Sequence, residues 1–328
     1  MTGKFQRVSF IIAMKQIPSV LMSFVGHWLP QRLVSLKVMA MLALAISFLS
    51  LAGCSTQRLV ASLVADQIAA QSGDQDDDLE LTRDAAPFFL KFGEAVLAKT
   101  PDHVALAETI AAGFVRYAWA FVVFEADRIE GRDLAEATRL RKRAVLLYRR
   151  AERHAMRALE SHTPGITARL SAASSSADAV VIDSRHAGLA YWAAAAWGAR
   201  ISLSKGEAEA VAQLPAATQL VATLTRCCLS WGDGAVASLA GSFEAGRPGG
   251  SAEQAMRWFD QAASLSHGKL AAVPLARAEA LSLPTGDRAT FERLAREAIA
   301  IALKHPGADN QIMLMRARWL LDTIDDRF

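Results

Sequence analysis

A cysteine stands near the start of the chain, directly after a short apolar segment. Residues 38–51 form an uncharged run of 14 residues, and Arg32 and Lys37 precede it as a positive flank. This run is shorter than the roughly 20 residues needed to cross a bilayer and fits the roughly 7–15 residues of a signal-peptide core. The sequence LAGC at 51–54 resembles a bacterial lipobox, in which small side chains fit the signal peptidase and the cysteine thiol receives a diacylglycerol. The pattern predicts that Cys54 is the lipid attachment site.

The segment before this cysteine is interpreted as a signal peptide covering residues 1–53, with the lipobox at 51–54. It is longer than usual, and Met22 is a second candidate for the start of translation. Ser55, rather than an aspartate, follows the cysteine, which by resemblance to the usual bacterial sorting rule favours the outer membrane. We therefore expect a lipid-anchored protein of the bacterial outer membrane that faces the periplasm.

Removing the leader changes the sign of the net charge. The whole chain has 36 Lys and Arg against 33 Asp and Glu, but residues 1–53 hold five of the basic residues and no acidic one. The mature chain therefore has 31 basic against 33 acidic residues, a net charge of −2. Nucleic-acid binding is not expected, because such proteins need a net basic footprint.

The mature chain has the composition and patterning of an all-α protein. It is rich in Ala, Leu, Arg and Glu and shows no alternating strand pattern between turn dipeptides. We assign residues 54–78 to an anchor segment with an acidic linker and residues 79–328 to one all-helical domain. Its 250 residues are enough to bury a sizeable core.

Short turns at regular intervals predict stacked helical hairpins within this domain. Asp133 with Glu136, and Ser251 with Gln254, have the spacing of helix-capping pairs. Two triplets have the spacing of small and aromatic residues found in the second helix of tetratricopeptide units: Ala144, Tyr148 and Ala151, then Ala255, Phe259 and Ala262. The intervals around them are irregular, so we predict cryptic, degenerate tetratricopeptide repeats.

The aromatic residues of the first half predict one core-facing stripe. Phe114, Tyr117, Phe121 and Phe124 recur at steps of 3, 4 and 3, which is the period of one face of a helix. We expect this stripe to pack against neighbouring helices rather than to bind a ligand.

The two cysteines besides Cys54 are adjacent in sequence. A bridge between neighbouring residues is strained, so the favoured interpretation of Cys227 and Cys228 is two buried small residues on a helix, with a disulfide as the alternative.

No catalytic or cofactor signature is found in the sequence. There is no His-Glu-x-x-His zinc pattern, no Gly-x-Ser-x-Gly elbow, no phosphate loop and no dinucleotide fingerprint. His154 and His162 lie eight residues apart near Glu160, and solvated surface histidines are favoured there over a metal site. We expect a protein that is not an enzyme and has neither a metal nor another cofactor.

One helical segment offers a candidate binding site. Trp192 and Trp197 are five residues apart and flank four alanines, so they do not share one face. One of them is then free to reach a cavity or a partner, and Arg200 would supply a fork of donors for an anion. Trp192 and Arg200 are the candidate ligand- or partner-binding pair, and ordinary packing with a surface ion pair is the alternative.

Several segments, in their order and spacing, resemble the TRAP transporter T-component family. These are PFFLKFGEAVLAKTPDH at 87–103, LAYWAAAAWGARISLS at 189–204, AMRWFDQAASLSHGK at 255–269 and RARWLLDTIDDRF at 316–328. The resemblance implies a periplasm-facing lipoprotein that forms a homotrimer with a central pore. It also implies docking to the solute-binding P component of a TRAP system, whose ligands are mostly small carboxylated solutes. An outer-membrane tetratricopeptide scaffold for envelope assembly, which would bind a peptide, is the alternative function.

Replacing the predicted acceptor of the lipid gives the first test. Cys54→Ser should leave the protein without acyl label and move it from the membrane fraction to the soluble fraction, because the thiol is the atom that is acylated. Membrane fractionation with palmitate labelling measures both effects, and acyl labelling that persists in the variant would refute the anchor.

Overall fold

The computed structural model describes residues 60–70, 78–172 and 180–328, and every regular element within these ranges is helical. The all-α prediction is thereby confirmed. Cys54, the lipobox and the leader lie outside the described residues, so the lipid anchor remains a prediction.

The helices are separated by turns, as expected from the sequence. They are α1 (Val60–Ala70), α2 (Leu79–Leu97), α3 (Val104–Tyr117), α4 (Phe124–Ile129), α5 (Leu134–His162), α6 (Ile166–Ala172), α7 (Ala187–Leu203), α8 (Ala208–Val211), α9 (Leu214–Cys227), α10 (Ala235–Gly246), α11 (Ala252–Ser266), α12 (Ala272–Arg277), α13 (Arg288–Lys304) and α14 (Ala308–Asp322). Two π-helical turns, Ala118–Val123 and Ala278–Ser282, join α3 to α4 and follow α12.

The predicted capping residues begin their helices. The Asp133 side chain accepts a hydrogen bond from the Glu136 N–H at 2.9 Å, and the Ser251 hydroxyl accepts one from the Gln254 N–H at 3.2 Å. Each side chain thereby satisfies one of the backbone donors that a helix leaves unpaired at its first turn.

The core of residues 57–328 forms where helices approach one another over small residues. Gly93 of α2 faces Ile110 of α3, and Gly113 of α3 faces Leu90 of α2. Helix α5 packs against both α3 and α7, and these two helices also contact each other. All six residues of the two Ala-aromatic-Ala triplets are buried. Their burial fits hairpin packing, and the tetratricopeptide detail itself remains a prediction.

The predicted aromatic stripe is interrupted. Phe114 and Phe124 are buried, but Tyr117 and Phe121 are only half-buried. The π-helical turn Ala118–Val123 lies between the two buried residues and has more residues per turn than an α-helix. It therefore shifts the periodicity, so that Ala118, Ala120 and Val122 face the core in place of Phe121.

The interpretation of the cysteine pair as two buried residues on a helix is wrong. The structure joins Cys227 and Cys228 by a disulfide. Helix α9 ends at Cys227, and Cys228 leaves helical geometry with φ −144° and ψ 32°. Cys228 is buried and Cys227 is exposed. The pair was misread because the helix stops between the two residues, a boundary that their adjacency does not indicate.

One helical run, Val104–Ile129, is long and apolar enough to cross a membrane by length and composition alone. More than half of its most apolar window is buried inside the protein. This burial is what a central core helix of a compact helical domain shows.

Ion pairs join α14 to residues that stand far earlier in the sequence. Arg316 of α14 donates to Asp127 of α4 at 2.7 Å and to Glu279 in the second π-helical turn at 2.7 Å. Arg116 of α3 donates two 2.8 Å hydrogen bonds to Asp309 of α14. The hairpins therefore do not form an open stack, because α14 packs against α3 and α4.

Truncating the aromatic residue of the second triplet tests the packing. Phe259 is fully buried beside Gly241, so Phe259→Ala should lower the free energy of unfolding by roughly 3 to 5 kcal/mol through lost burial and a residual cavity. Phe88 is 77% exposed, and the control Phe88→Ala should change stability by less than about 0.5 kcal/mol. Urea unfolding followed by circular dichroism measures both variants. A loss below about 1 kcal/mol for Phe259→Ala would mean that the triplet has been misread.

Candidate functional site

A cleft of about 510 Å³ opens between the middle of the domain's longest helix, α5, and the start of α9. Its walls come from α5, α6, α7 and the α8–α9 connection: Glu152, Met156, Thr167, Ser171, Trp197, Ala212, Gln213, Pro215 and Ala216. The lining combines apolar side chains with amide, hydroxyl and carboxylate groups. This mixture suits a small solute that has both polar and apolar parts.

Arg200 holds the polar wall of this cleft in place. Its Nε donates to Glu152 Oε2 at 2.7 Å, and its Nη2 donates to Gln213 Oε1 at 2.6 Å. The same Gln213 oxygen accepts a hydrogen bond from Trp197 Nε1 at 3.0 Å. Arg200 is only 5% exposed, so the fork is buried and its charge is compensated by Glu152. Three helices are thereby fixed relative to one another around the cleft.

This bonding pattern determines which groups remain for a ligand. The Gln213 oxygen is saturated by two donors, and its amide nitrogen has no protein partner among the described residues. The Thr167 hydroxyl is committed to Glu160 at 2.7 Å. The Gln213 amide is therefore the group that lines the cleft and remains able to donate to a solute oxygen.

The structure separates the two residues that were predicted to form a site. Arg200 lies with Trp197, whereas Trp192 lies under the guanidinium of Arg116, 4.7 Å from the ring centroid. The reason is helical geometry, because Trp197 precedes Arg200 by three residues and shares its face. Trp192 precedes it by eight residues and lies more than two turns away. Spacing by three was the signal in the sequence that would have selected Trp197.

Trp192 belongs to a second cluster, which joins α3, α7 and α14. Tyr191 packs edge-on against Trp192 at 4.9 Å and contacts Trp231 at 4.7 Å between ring centroids. Arg116, which covers Trp192, is also paired with Asp309. Trp192 is half-buried. Its ring packs against Tyr191 and also contacts the guanidinium of Arg116.

A half-buried carboxyl group lies between the same helices. Glu108 of α3 lies against Gly188 of α7, where any side chain would overlap the carboxylate. Burial raises the pKa of Glu108, and the charge of Arg116 only partly opposes this. Glycine at position 188 therefore keeps room for a carboxyl group in a setting that disfavours its ionised form.

The interpretation of the two histidines as solvated surface residues is wrong for His154, whereas His162 is exposed as expected. The His154 ring bonds Glu94 Oε1 at 2.6 Å, its side chain is 15% exposed, and burial lowers its pKa despite this partner. His162 packs edge-on against His186 at 4.7 Å. Both histidines lie at helix contacts that spacing alone does not show. Within the described ranges, no three His, Cys, Asp or Glu side chains come together as metal ligands.

The raised pKa of Glu108 predicts a pH-dependent stability. The unfolded chain loses this proton at lower pH than the folded chain, so stability is lost as pH rises from the unfolded towards the folded pKa. Glu108→Gln should therefore raise the midpoint of thermal unfolding at about pH 7 and give no such gain near pH 4. The exposed Glu209→Gln serves as the control. Equal effects of Glu108→Gln at both pH values would contradict the assignment.

Comparison with known proteins gives this geometry a context. Residues 75–328 match the family model described as TRAP transporter T-component. An uncharacterized protein of Treponema pallidum (strain Nichols) is 27% identical over 310 residues, which cover 86% of this chain and 95% of that relative. The match to the family model takes in all helices from α2 onward, including the cleft and the Trp192 cluster. The chain therefore belongs to the TRAP transporter T-component family.

Proposed function

We propose that this protein is a periplasm-facing lipoprotein that docks the solute-binding P component of a TRAP transport system and guides a small organic acid-like solute. Family membership supports an accessory role in TRAP transport. The observation that carries the finer proposal is the cleft whose polar wall is fixed by Arg200, Glu152 and Gln213.

The cleft suits passage of a solute better than chemical conversion of it. Its one charged pair, Arg200 with Glu152, is neutralised internally and engaged in bonding, so neither group is a free nucleophile or base. Gln213 offers a neutral donor to a carboxylate or hydroxyl oxygen. Such a contact is worth about 0.5–1.5 kcal/mol for a hydroxyl oxygen and about 1.5–3 kcal/mol for a carboxylate, which holds a solute without trapping it.

The rigidity of the helical framework suits docking of a protein partner. Helices that are already packed lose little freedom when a partner binds, so less of the interaction energy is spent on ordering. Transfer of solute requires that the partners also separate readily, and we expect an affinity on the order of micromolar. The anchor at Cys54 would keep the complex at the outer membrane. By family resemblance, the assembly would be a homotrimer with a central pore.

Titration with the natural partner tests this function. The mature chain from residue 54, carrying Cys54→Ser, is titrated by calorimetry with the solute-binding protein encoded beside it, with and without an equimolar panel of small mono- and dicarboxylic acids. We expect a dissociation constant on the order of micromolar, because the partners must exchange.

A lack of binding would contradict the proposed function. Absence of association at about 100 micromolar, well above the expected dissociation constant, would reject P-component docking. If a peptide from an outer-membrane assembly factor binds under the same conditions, the scaffold for envelope assembly replaces the transport role.

A further inference from the structure

Helix α5 exposes a row of positive charges on the side away from the core. The row, called here the cationic face, consists of Lys142, Arg143, Arg149, Arg153 and Arg157, and all five are exposed. Successive members are separated by one to six residues, and steps of four join Arg149 to Arg153 and Arg153 to Arg157. These steps keep the side chains on one side of the helix.

These cations differ from the other basic residues of the same helix. Arg139 pairs with Glu136, Arg141 with Asp127 and Glu130, and Arg150 with Glu94. No carboxylate of the described residues pairs with any member of the cationic face. Like charges four residues apart destabilise a helix by a few tenths of a kcal/mol per pair. The mature chain carries a net charge of −2, so the row does not follow from a generally basic composition.

The face also has a shape and an apolar centre. Leu146 lies in its middle and is 62% exposed. It borders a hollow of about 390 Å³ that is lined by α5 side chains, chiefly arginines. From residue 142 to residue 157 the row is roughly 22 Å long at 1.5 Å per residue. A standard protein interface buries about 800 Å² on each partner, and a row of that length would extend across much of such a patch.

An exposed aromatic pair lies on α2, a helix that contacts α5. Phe88 and Phe92 of α2 are 77% and 45% exposed and stack with their ring centroids 6.2 Å apart. Helix α2 lies beside α5, because Glu94 of α2 bonds the His154 ring and lies 3.2 Å from Arg150. Arginine and exposed aromatic residues on adjacent helices are the side chains that protein interfaces favour.

We propose that the cationic face, together with Phe88 and Phe92, is the surface that docks an acidic face of the TRAP solute-binding protein. This inference rests on the proposed function and adds to it where the partner binds and what charge the partner presents. Arginine forks pair bidentately with protein carboxylates, and the two phenylalanines supply the apolar contact beside them.

A protein partner fits this surface better than an anionic membrane. The exposed acidic residues Glu80 and Asp84 lie on α2 together with the aromatic pair. Asp84 is paired with Arg83 at 2.9 Å, so it is chiefly the charge of Glu80 that would oppose the phosphates if Phe88 and Phe92 entered a bilayer. A folded partner can place its own cations opposite these two acids and its carboxylates opposite α5, whereas a uniform lipid surface cannot. The opposite charges would also accelerate encounter of the two proteins at low ionic strength.

Charge reversal on the face tests the proposal. The mature Cys54→Ser chain and two double variants of it are compared by biolayer interferometry against the immobilised solute-binding protein at low and at physiological salt. Arg149→Glu with Arg153→Glu should weaken binding by about tenfold or more, mainly through slower association, and should reduce the salt dependence. The matched control is Lys304→Glu with Arg318→Glu, the same change of charge at exposed residues of α13 and α14. It should change affinity by less than about twofold.

Two further measurements identify the type of contact. Phe88→Ser with Phe92→Ser should weaken binding mainly through faster dissociation, because these residues supply contact area rather than charge. Circular dichroism and thermal unfolding of each variant should match the parent chain, because all the replaced side chains are exposed and none of the α5 arginines replaced has a carboxylate partner.

The possible results distinguish failure of the proposed docking surface from failure of the docking function itself. If the parent chain binds and the α5 reversal behaves like the control, the proposed surface is wrong while the docking function stands. If the parent chain does not bind, the docking function fails and this surface fails with it. Vesicles containing about 30% phosphatidylglycerol provide the last arm. Loss of vesicle co-sedimentation in the α5 variant with unchanged protein binding would assign the face to the membrane and overturn the proposal.

Discussion

The fold depends on one largely buried cation whose two partners lie far apart in the sequence. Arg316 has a side chain only 11% exposed and bonds Asp127 and Glu279. Burial opposes its charge, but the two carboxylates more than offset this and raise its pKa. A buried charge is costly unless it is paired, so α14 reaches a stable position only where α4 and the second π-helical turn already lie. The aromatic ring of Trp319, 4.9 Å from the guanidinium, completes this enclosure.

The two π-helical turns help to place the carboxylates that pair with Arg316. Asp127 follows the first π-helical turn, and Glu279 lies within the second. Each turn changes the helical register just where a carboxylate must face Arg316, and π-helical insertions of this kind are frequent at functional sites. Arg200 plays the corresponding part within the domain, since it joins α5, α7 and the start of α9 and so forms the cleft wall. The shape of the cleft and the closure of the chain thus come from charge pairing added to hydrophobic packing.

Short-range patterns in the sequence predicted much of this structure, and long-range pairing accounts for what they missed. Helix caps at Asp133 and Ser251 depend on residues three apart, so spacing was sufficient. Phe121 was misplaced because a π-helical turn leaves no periodic signature in advance, and Trp197 was passed over although it stands three residues before Arg200. No local pattern relates Asp127 to Arg316, which are separated by 189 residues. The cationic face was not predicted, because which basic residues of α5 lack a carboxylate partner depends on side chains from other helices.

The packing of α14 against α3 and α4 has a consequence for how such a chain can change in evolution. Open arrays of helical hairpins gain and lose units easily, because each unit contacts only its neighbours and the ends are free. Here Arg116 of α3 pairs with Asp309 of α14, and Phe124 of α4 packs against Trp319 of α14. Helix α14 therefore fits against α3 and α4 only at one fixed number of hairpins. Duplicating or deleting a hairpin would separate these pairs and would also part Arg316 from Asp127, which would leave a largely buried charge without one of its partners. We therefore expect divergence of this domain to be confined to substitution and loop variation.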